Sequence, residues 1–211
     1  MSDDLRAALG AKPDPEFTMM LPDGWVRMDA SDASRDAVLA AAKARLMTAH
    51  RPDLWATTRS TIQQAFENLR KNRGVAIMMQ LESDEDRPFI PASLTAAIQT
   101  APVGVGMDDY VAHLIGDGAT PLGDDKRFVR QEKREEVTQD GVRIGLTTVR
   151  YLTPVPGTKR SRALLLTAVM PHETTTPDDD PLLTAVRFTI DAHVSTLRWM
   201  PAGARAAGAR P

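Results

Sequence analysis

Phe128-Val-Arg-Gln-Glu-Lys-Arg-Glu-Glu-Val-Thr-Gln139, then Asp140-Gly141, then Val142-Arg-Ile-Gly-Leu-Thr-Thr-Val-Arg-Tyr-Leu-Thr153 is the stretch that decides the fold. Two long runs of extended character flank an Asp-Gly pair, the residue pair that best tolerates the positive backbone dihedrals of a two-residue hairpin. With that turn the register follows. Val137 faces Ile144, Val129 faces Leu152, Arg130 faces Tyr151 and Gln131 faces Arg150. A second connection, Pro154 to Arg160, leads into the apolar run Arg162 to Met170, so three consecutive antiparallel strands form a meander.

Reading outward from the meander, helices and further strands appear. Asp180-Pro181 opens a closing helix, expected to run to about Trp199, with Asp as cap and Pro at the first helical position. At 100° per residue, Leu182, Leu183, Val186, Ile190, Val194 and Leu197 form one broad apolar arc. Phe188, Ala192 and Trp199 form a second strip that something must cover. Toward the N-terminus, Ser31, Asp32 or Ser34 caps a helix with Val38, Leu39, Ala42, Leu46 and Ala49 on one face. Pro52-Asp53 starts another, with Trp55, Ile62, Phe66 and Leu69 on its stripe, stopped at Asn72-Arg73-Gly74. Val75 to Leu81 is apolar on both faces, as a strand covered on both sides would be. Asp84 to Asp86 reads as a loop, Ser93 to Thr100 as a strand, and Asp108 to Ile115 as a short helix between Gly106 and Gly116. Phe17 to Leu21 is a short strand, followed by the turn Pro22-Asp23-Gly24 and extended Trp25 to Met28.

The order of these elements predicts an α+β fold: an α/β/α sandwich with a central antiparallel sheet, a C-terminal three-strand meander and helices on both faces. The expected organisation is a loosely ordered arm over 1–16, with a helical turn at Asp4 to Leu9, a single domain over 17–199, and a disordered tail over 200–211.

Composition narrows the function classes. The chain has 211 residues, no Cys, and 26 basic against 28 acidic side chains. Without Cys there are no disulfides, thiolate metal sites or cysteine nucleophiles. A net charge of −2 supplies no electrostatic basis for binding nucleic acid or an anionic membrane. No apolar run approaches the roughly 18 residues of a membrane span. The acidic start Met1-Ser-Asp-Asp-Leu lacks the shape of a secretory signal, and the expected location is cytoplasmic. Only 6 of the 26 basic residues are Lys and Ala is abundant, a usage that accompanies GC-rich genomes and reflects codon supply.

Leu21-Pro22-Asp23-Gly24-Trp25 after a short apolar strand, together with a closing helix containing Phe188 and Val194-Ser195-Thr196-Leu197-Arg198, resembles the PsbP-like fold superfamily. That superfamily includes a photosystem II extrinsic subunit, a Ran-binding nuclear import factor and many bacterial domains without assigned function, and the resemblance implies a bacterial member of this last kind. The resemblance runs from Phe17 to Trp199 in element order. It implies a sandwich around an antiparallel sheet, and protein binding rather than a shared catalytic set.

Catalytic motifs are missing from the sequence: no Gly-x-Ser-x-Gly, no Ser-x-x-Lys with its companions, and only Gly104-Val-Gly106 where a phosphate loop needs a third glycine. His50, His113 and His193 stand alone. His172-Glu173 and Asp178-Asp179-Asp180 lie close enough in sequence to hold a hard cation, but the acidic run also sits where a helix cap and dipole favour carboxylates. The mixed-charge strand Arg127 to Glu136 reads as a solvated edge that resists aggregation, or as a recognition surface for a partner of complementary charge. The expected function is therefore a non-enzymatic soluble domain without cofactor that binds another protein through its sheet or helix face. Arg130, Lys133, Arg134, Arg150, Tyr151, Phe188 and Trp199 are the candidate surface residues, and no metal ligands are assigned. The alternative is an enzyme, or a small-ligand or divalent-cation binding domain, with a pocket near His172, Glu173 and Asp178 to Asp180.

Overall fold

The computed structural model describes residues 14–81, 89–101, 105–139 and 141–200. Its strands and helices follow one another as β1 (Phe17–Thr18), β2 (Trp25–Met28), α1 (Asp32–Thr48), a short 3-10 turn (Pro52–Leu54), α2 (Trp55–Lys71), β3 (Gly74–Gln80), β4 (Ser93–Thr100) and α3 (Met107–Gly116). Then come β5 (Thr120–Leu122), β6 (Asp125–Gln139), β7 (Val142–Pro154), β8 (Arg162–His172), α4 (Pro181–Ser195) and β9 (Arg198–Trp199). Seven strands form one antiparallel sheet in the order β2-β3-β4-β8-β7-β6-β5, and β1 pairs separately with β9. The meander is the β8-β7-β6 part of this sheet, in the register expected from the turn: Val137 opposite Ile144, Val129 opposite Leu152. Gly141 takes φ 79°, the left-handed backbone such a turn requires. Asp140 lies outside the described residues, as do the Asp4 to Leu9 turn, the Asp84 to Asp86 loop, and most of the expected arm and tail.

The sheet is unequally covered. On one face, Met78, Leu94, Ala96, Val149, Tyr151, Leu164, Leu166, Ala168 and Met170 are sealed beneath Leu183, Val186, Ile190 and Val194 of α4. On the other face two smaller clusters sit at the sheet's ends. One joins Val38 of α1, Phe66 and Leu69 of α2 and Ile77 of β3; the other joins Met107 of α3, Leu152 and Ala163. Strand periodicity makes this visible along β8, where Leu164, Leu166, Ala168 and Met170 are buried while Leu165, Thr167 and Val169 between them are only half-buried. The layering is helix, sheet, helix, an α+β sandwich.

Capping agrees with the sequence at α1 and α4, whereas α2 follows the 3-10 turn without a side-chain cap. Ser31 accepts from the Ser34 amide at 3.2 Å, and Asp180 accepts from the Leu183 amide at 2.9 Å with Pro181 at the first helical position. The first strand is shorter than expected, Phe17–Thr18, the helix expected from Pro52-Asp53 begins at Trp55 after the 3-10 turn, and two helix C-termini differ in detail. The left-handed residue after α2 is Arg73, with Gly74 opening β3. More importantly, α4 stops at Ser195 and not at Trp199. Thr196 Oγ1 donates back to the His193 carbonyl at 2.6 Å and accepts from the Met20 amide at 2.9 Å, while the Arg127 guanidinium takes the Ser195 and Leu197 carbonyls at 3.0 and 3.2 Å. These partners satisfy the helix end and release the chain into β9. There Trp199 packs edge-on against Phe17, ring centroids 6.1 Å apart. Residues 14–16 of the expected loose arm are tied down: Asp14 pairs with Arg162, and the Glu16 carbonyl accepts from the Met200 amide.

Candidate recognition face

The half-covered face of the sheet is ordered into rows by the strand register. One row crosses the sheet as Gln131, Arg150, Thr167, Thr95 and Ile77, from the β6 side to the α1/α2 pair. The next runs Lys133, Thr148, Val169, Ser93 and Met79. Beyond them lie Glu135, Leu146 and Pro171, then Val137 opposite Ile144. Apart from Ile77, buried beneath the α1/α2 pair, every residue in these rows is half-buried or exposed. Threonines and aliphatics alternate around one exposed guanidinium. Among the described residues Arg150 makes no hydrogen bond or ion pair, and it is felt only as a distant charge that adds to the lowering of the Glu135 pKa. The main cause of that lowering is the hydrogen bond from Lys133 at 2.6 Å.

β5 pairs with β6 only as far as Arg130, so from Gln131 onward β6 borders this face as an open strand. Its charges discourage indiscriminate strand addition there.

The candidate residues do not share one surface. Lys133 and Arg150 lie on the half-covered face. Arg130, Arg134 and Tyr151 point to the opposite side, beneath or beside α4, because successive strand residues alternate faces. Tyr151 has no exposed surface at all, which corrects the expectation that it offers an aromatic to a partner. Its hydroxyl donates to Asp191 Oδ1 of α4 at 2.5 Å, and Arg130 Nε donates to the same oxygen at 3.0 Å. Arg130 also reaches Glu132 at 2.8 Å, and Arg187 of α4 meets the other Glu132 oxygen at 2.8 Å. Burial pushes the Tyr151 phenol well above its ordinary range, with Asp191 adding to the shift. For Arg130 burial acts downward, but Asp191 and Glu132 outweigh it and hold the guanidinium charged. Glu132 is likewise lowered overall, because Arg187 and Arg130 overcome its desolvation. This network is a clamp between α4 and the sheet. Phe188 stands on the outer side of α4, 74% exposed, and Trp199 is half-buried in β9, so the two do not form the helical strip expected of them.

The alternative pocket near His172 also divides. His172 lies against Gly145, where a Cβ would collide with the imidazole. Its Nδ1 donates to the Glu173 carbonyl at 2.8 Å, and Nε2 lies within hydrogen-bond distance of the Thr147 hydroxyl at 3.1 Å. Asp178 pairs with Arg134, and Asp180 is the α4 cap. Among the described residues no three His, Asp or Glu side chains are grouped to hold a metal ion. No helix among them is long and apolar enough to cross a membrane.

What sequence reasoning missed is the row structure: Thr95, Thr148, Thr167 and Val169 carry no chemical motif. Their alternation with buried neighbours was the available signal.

No protein-family model matches this chain, and no curated protein matches it significantly. Two solved structures are similar in layout. A protein from Bacteroides thetaiotaomicron aligns over 90% of this chain at 10% identity with a TM-score of 0.41, and this chain spans 47% of its length. A point mutant of the protein Mog1 aligns over 59% of this chain and 78% of its own, at 13% identity with a TM-score of 0.31.

Proposed function

We propose that the chain is a binding domain that receives an acidic segment of another protein on the half-covered face of its sheet. The carrying observation is the asymmetry of cover: one face is sealed by α4, whereas the other leaves a band of Thr95, Thr148, Thr167, Val169 and Leu146 around Arg150. A band that mixes half-buried aliphatics, hydroxyls and an Arg has the make-up of a protein interface core and rim. Arg150, free of an internal carboxylate among the described residues, supplies the charge that an acidic partner complements. The resemblance of Leu21 to Trp25 and of the closing helix to PsbP-like domains, which mostly bind proteins, supports the same reading.

A photocrosslinking amino acid placed at Thr148 or Thr167 in the native cell tests it. The expected result is a discrete protein adduct from both positions that Arg150→Glu abolishes, with none from a probe at Ala37 on the outer side of α1. Adducts indifferent to Arg150→Glu would refute the assigned face.

A further inference from the structure

A second concavity lies at the far end of the meander, where the β7–β8 connection passes β9. Its volume is about 410 Å³, near the small end of the range for ligand pockets. The floor is apolar: Phe128, Val155 and Leu197 are fully buried and Trp199 is half-buried. Within it sits Thr153, only 4% exposed, whose hydroxyl makes no hydrogen bond among the described residues. Its oxygen is not sealed, since the buried side-chain nitrogens and oxygens without a partner among the described residues are Trp25 Nε1 and Arg162 Nε, so the Thr153 hydroxyl is open to the cavity and free to meet a polar atom there.

The rim is cationic. Arg127 borders the cavity but is committed to Asp125 and to the carbonyls at the end of α4. Lys159 and Arg160 of the β7–β8 connection border it too. Lys159 has no hydrogen bond or ion pair among the described residues, and Arg160 has only a long, exposed contact to Asp108 at 3.4 Å. Both sit in left-handed backbone, at φ 50° and 59°, a conformation that ordinary L residues avoid. His50 and Arg73 take the same backbone just after helices, so what sets Lys159 and Arg160 apart is that the turn places two cations side by side at an apolar cavity.

We propose that this cavity binds a small carboxylate with an aromatic or branched aliphatic body. The body rests on Phe128, Val155 and Trp199, Thr153 hydrogen-bonds a polar atom inside, and the carboxylate faces Lys159 and Arg160. An apolar floor with few polar groups fixes orientation, and the two cations select charge.

The test uses the full chain labelled with ¹⁵N, reading the Trp199 indole signal identified with Trp199→Phe. The probes are 4-phenylbutyrate, the neutral 4-phenylbutyramide, and the dipeptide acetyl-Leu-Phe with a free carboxyl. Expected is a saturable shift with 4-phenylbutyrate and binding of the amide weaker by about tenfold. Lys159→Gln with Arg160→Gln should lower affinity for the acid to the level of the amide. Thr153→Val, which preserves shape, should lower it about threefold, with other signals unmoved. Absence of a saturable shift, equal binding of acid and amide, or unchanged affinity in the double variant would overturn the proposal. Tighter binding of the dipeptide than of 4-phenylbutyrate would overturn the small-molecule assignment in favour of a protein chain end.

Discussion

In an Asp191→Ala variant, two donors that hold α4 to the sheet lose one shared acceptor. The Tyr151 hydroxyl, 2.5 Å from Asp191, is completely shielded from water and would be left without a partner. An orphaned buried hydroxyl costs about 1–3 kcal/mol. Arg130 Nε, 3.0 Å from the same oxygen, keeps Glu132, and its side chain is 18% exposed, so water replaces part of what it loses. That second loss is discounted to about 1 kcal/mol. The variant should therefore unfold about 2–4 kcal/mol more easily. Tyr151→Phe removes only the donor, and Asp191, whose side chain is 27% exposed, can turn to solvent, so about 1–2 kcal/mol is expected. Once Asp191 is gone, a phenyl ring is no worse than an orphaned phenol, so the double variant should cost less than the sum, with a coupling of about 1–2 kcal/mol. Urea unfolding at pH 7, followed by far-ultraviolet circular dichroism with all four chains at equal m, measures each term. Strict additivity, or an Asp191→Ala variant within about 0.5 kcal/mol of the parent, would refute the clamp.

Three further outcomes are expected. The Tyr151 phenol has a folded pKa above its unfolded one, so its contribution is complete below about pH 10 and is lost as pH rises through the folded value. Absorbance at 295 nm should show Tyr151 ionising only as the chain unfolds, and ionisation ahead of unfolding would contradict the buried hydrogen bond. Gly141→Val forces a β-branched residue to φ near 79° and should cost at least about 1 kcal/mol in denaturant melts, with a smaller loss arguing against the turn. Finally, Ile190→Ala in the sealed core should cost about 2–5 kcal/mol, whereas Phe188→Ser on the same helix should stay within about 0.5 kcal/mol; comparable losses at both would mean that the outer side of α4 is covered after all.

How far the fold can be read in the chain depends on the range of the force at work. Asp140-Gly141 names a turn, the turn sets a register, and Val137–Ile144 and Val129–Leu152 follow as pairs. Ser31 and Asp180-Pro181 name helix starts for an equally local reason, since a side-chain oxygen three residues away satisfies a free amide. Leu183, Val186, Ile190 and Val194 declare the buried side of α4 through their spacing alone. β5 escapes such reading because three residues containing Pro121 have no pattern of their own, and only the neighbouring β6 makes them a strand.

The candidate sites show the same division. Sequence alone determined that Arg130, Lys133, Arg134, Arg150 and Tyr151 lie on paired strands, and which residue stands opposite which. Only the tertiary structure decided which side of the sheet each occupies in relation to α4. That decision buries Tyr151 against Asp191 and leaves Arg150 in water, although the two are neighbours in the chain. It also ends α4 at Ser195, because Met20 and Arg127, distant in sequence, take the last polar groups of the helix and let Trp199 turn toward Phe17. Periodicity encodes alternation between two faces. It does not encode which face will be covered, because cover is supplied by residues far along the chain, whose contacts exist only once the layers have packed.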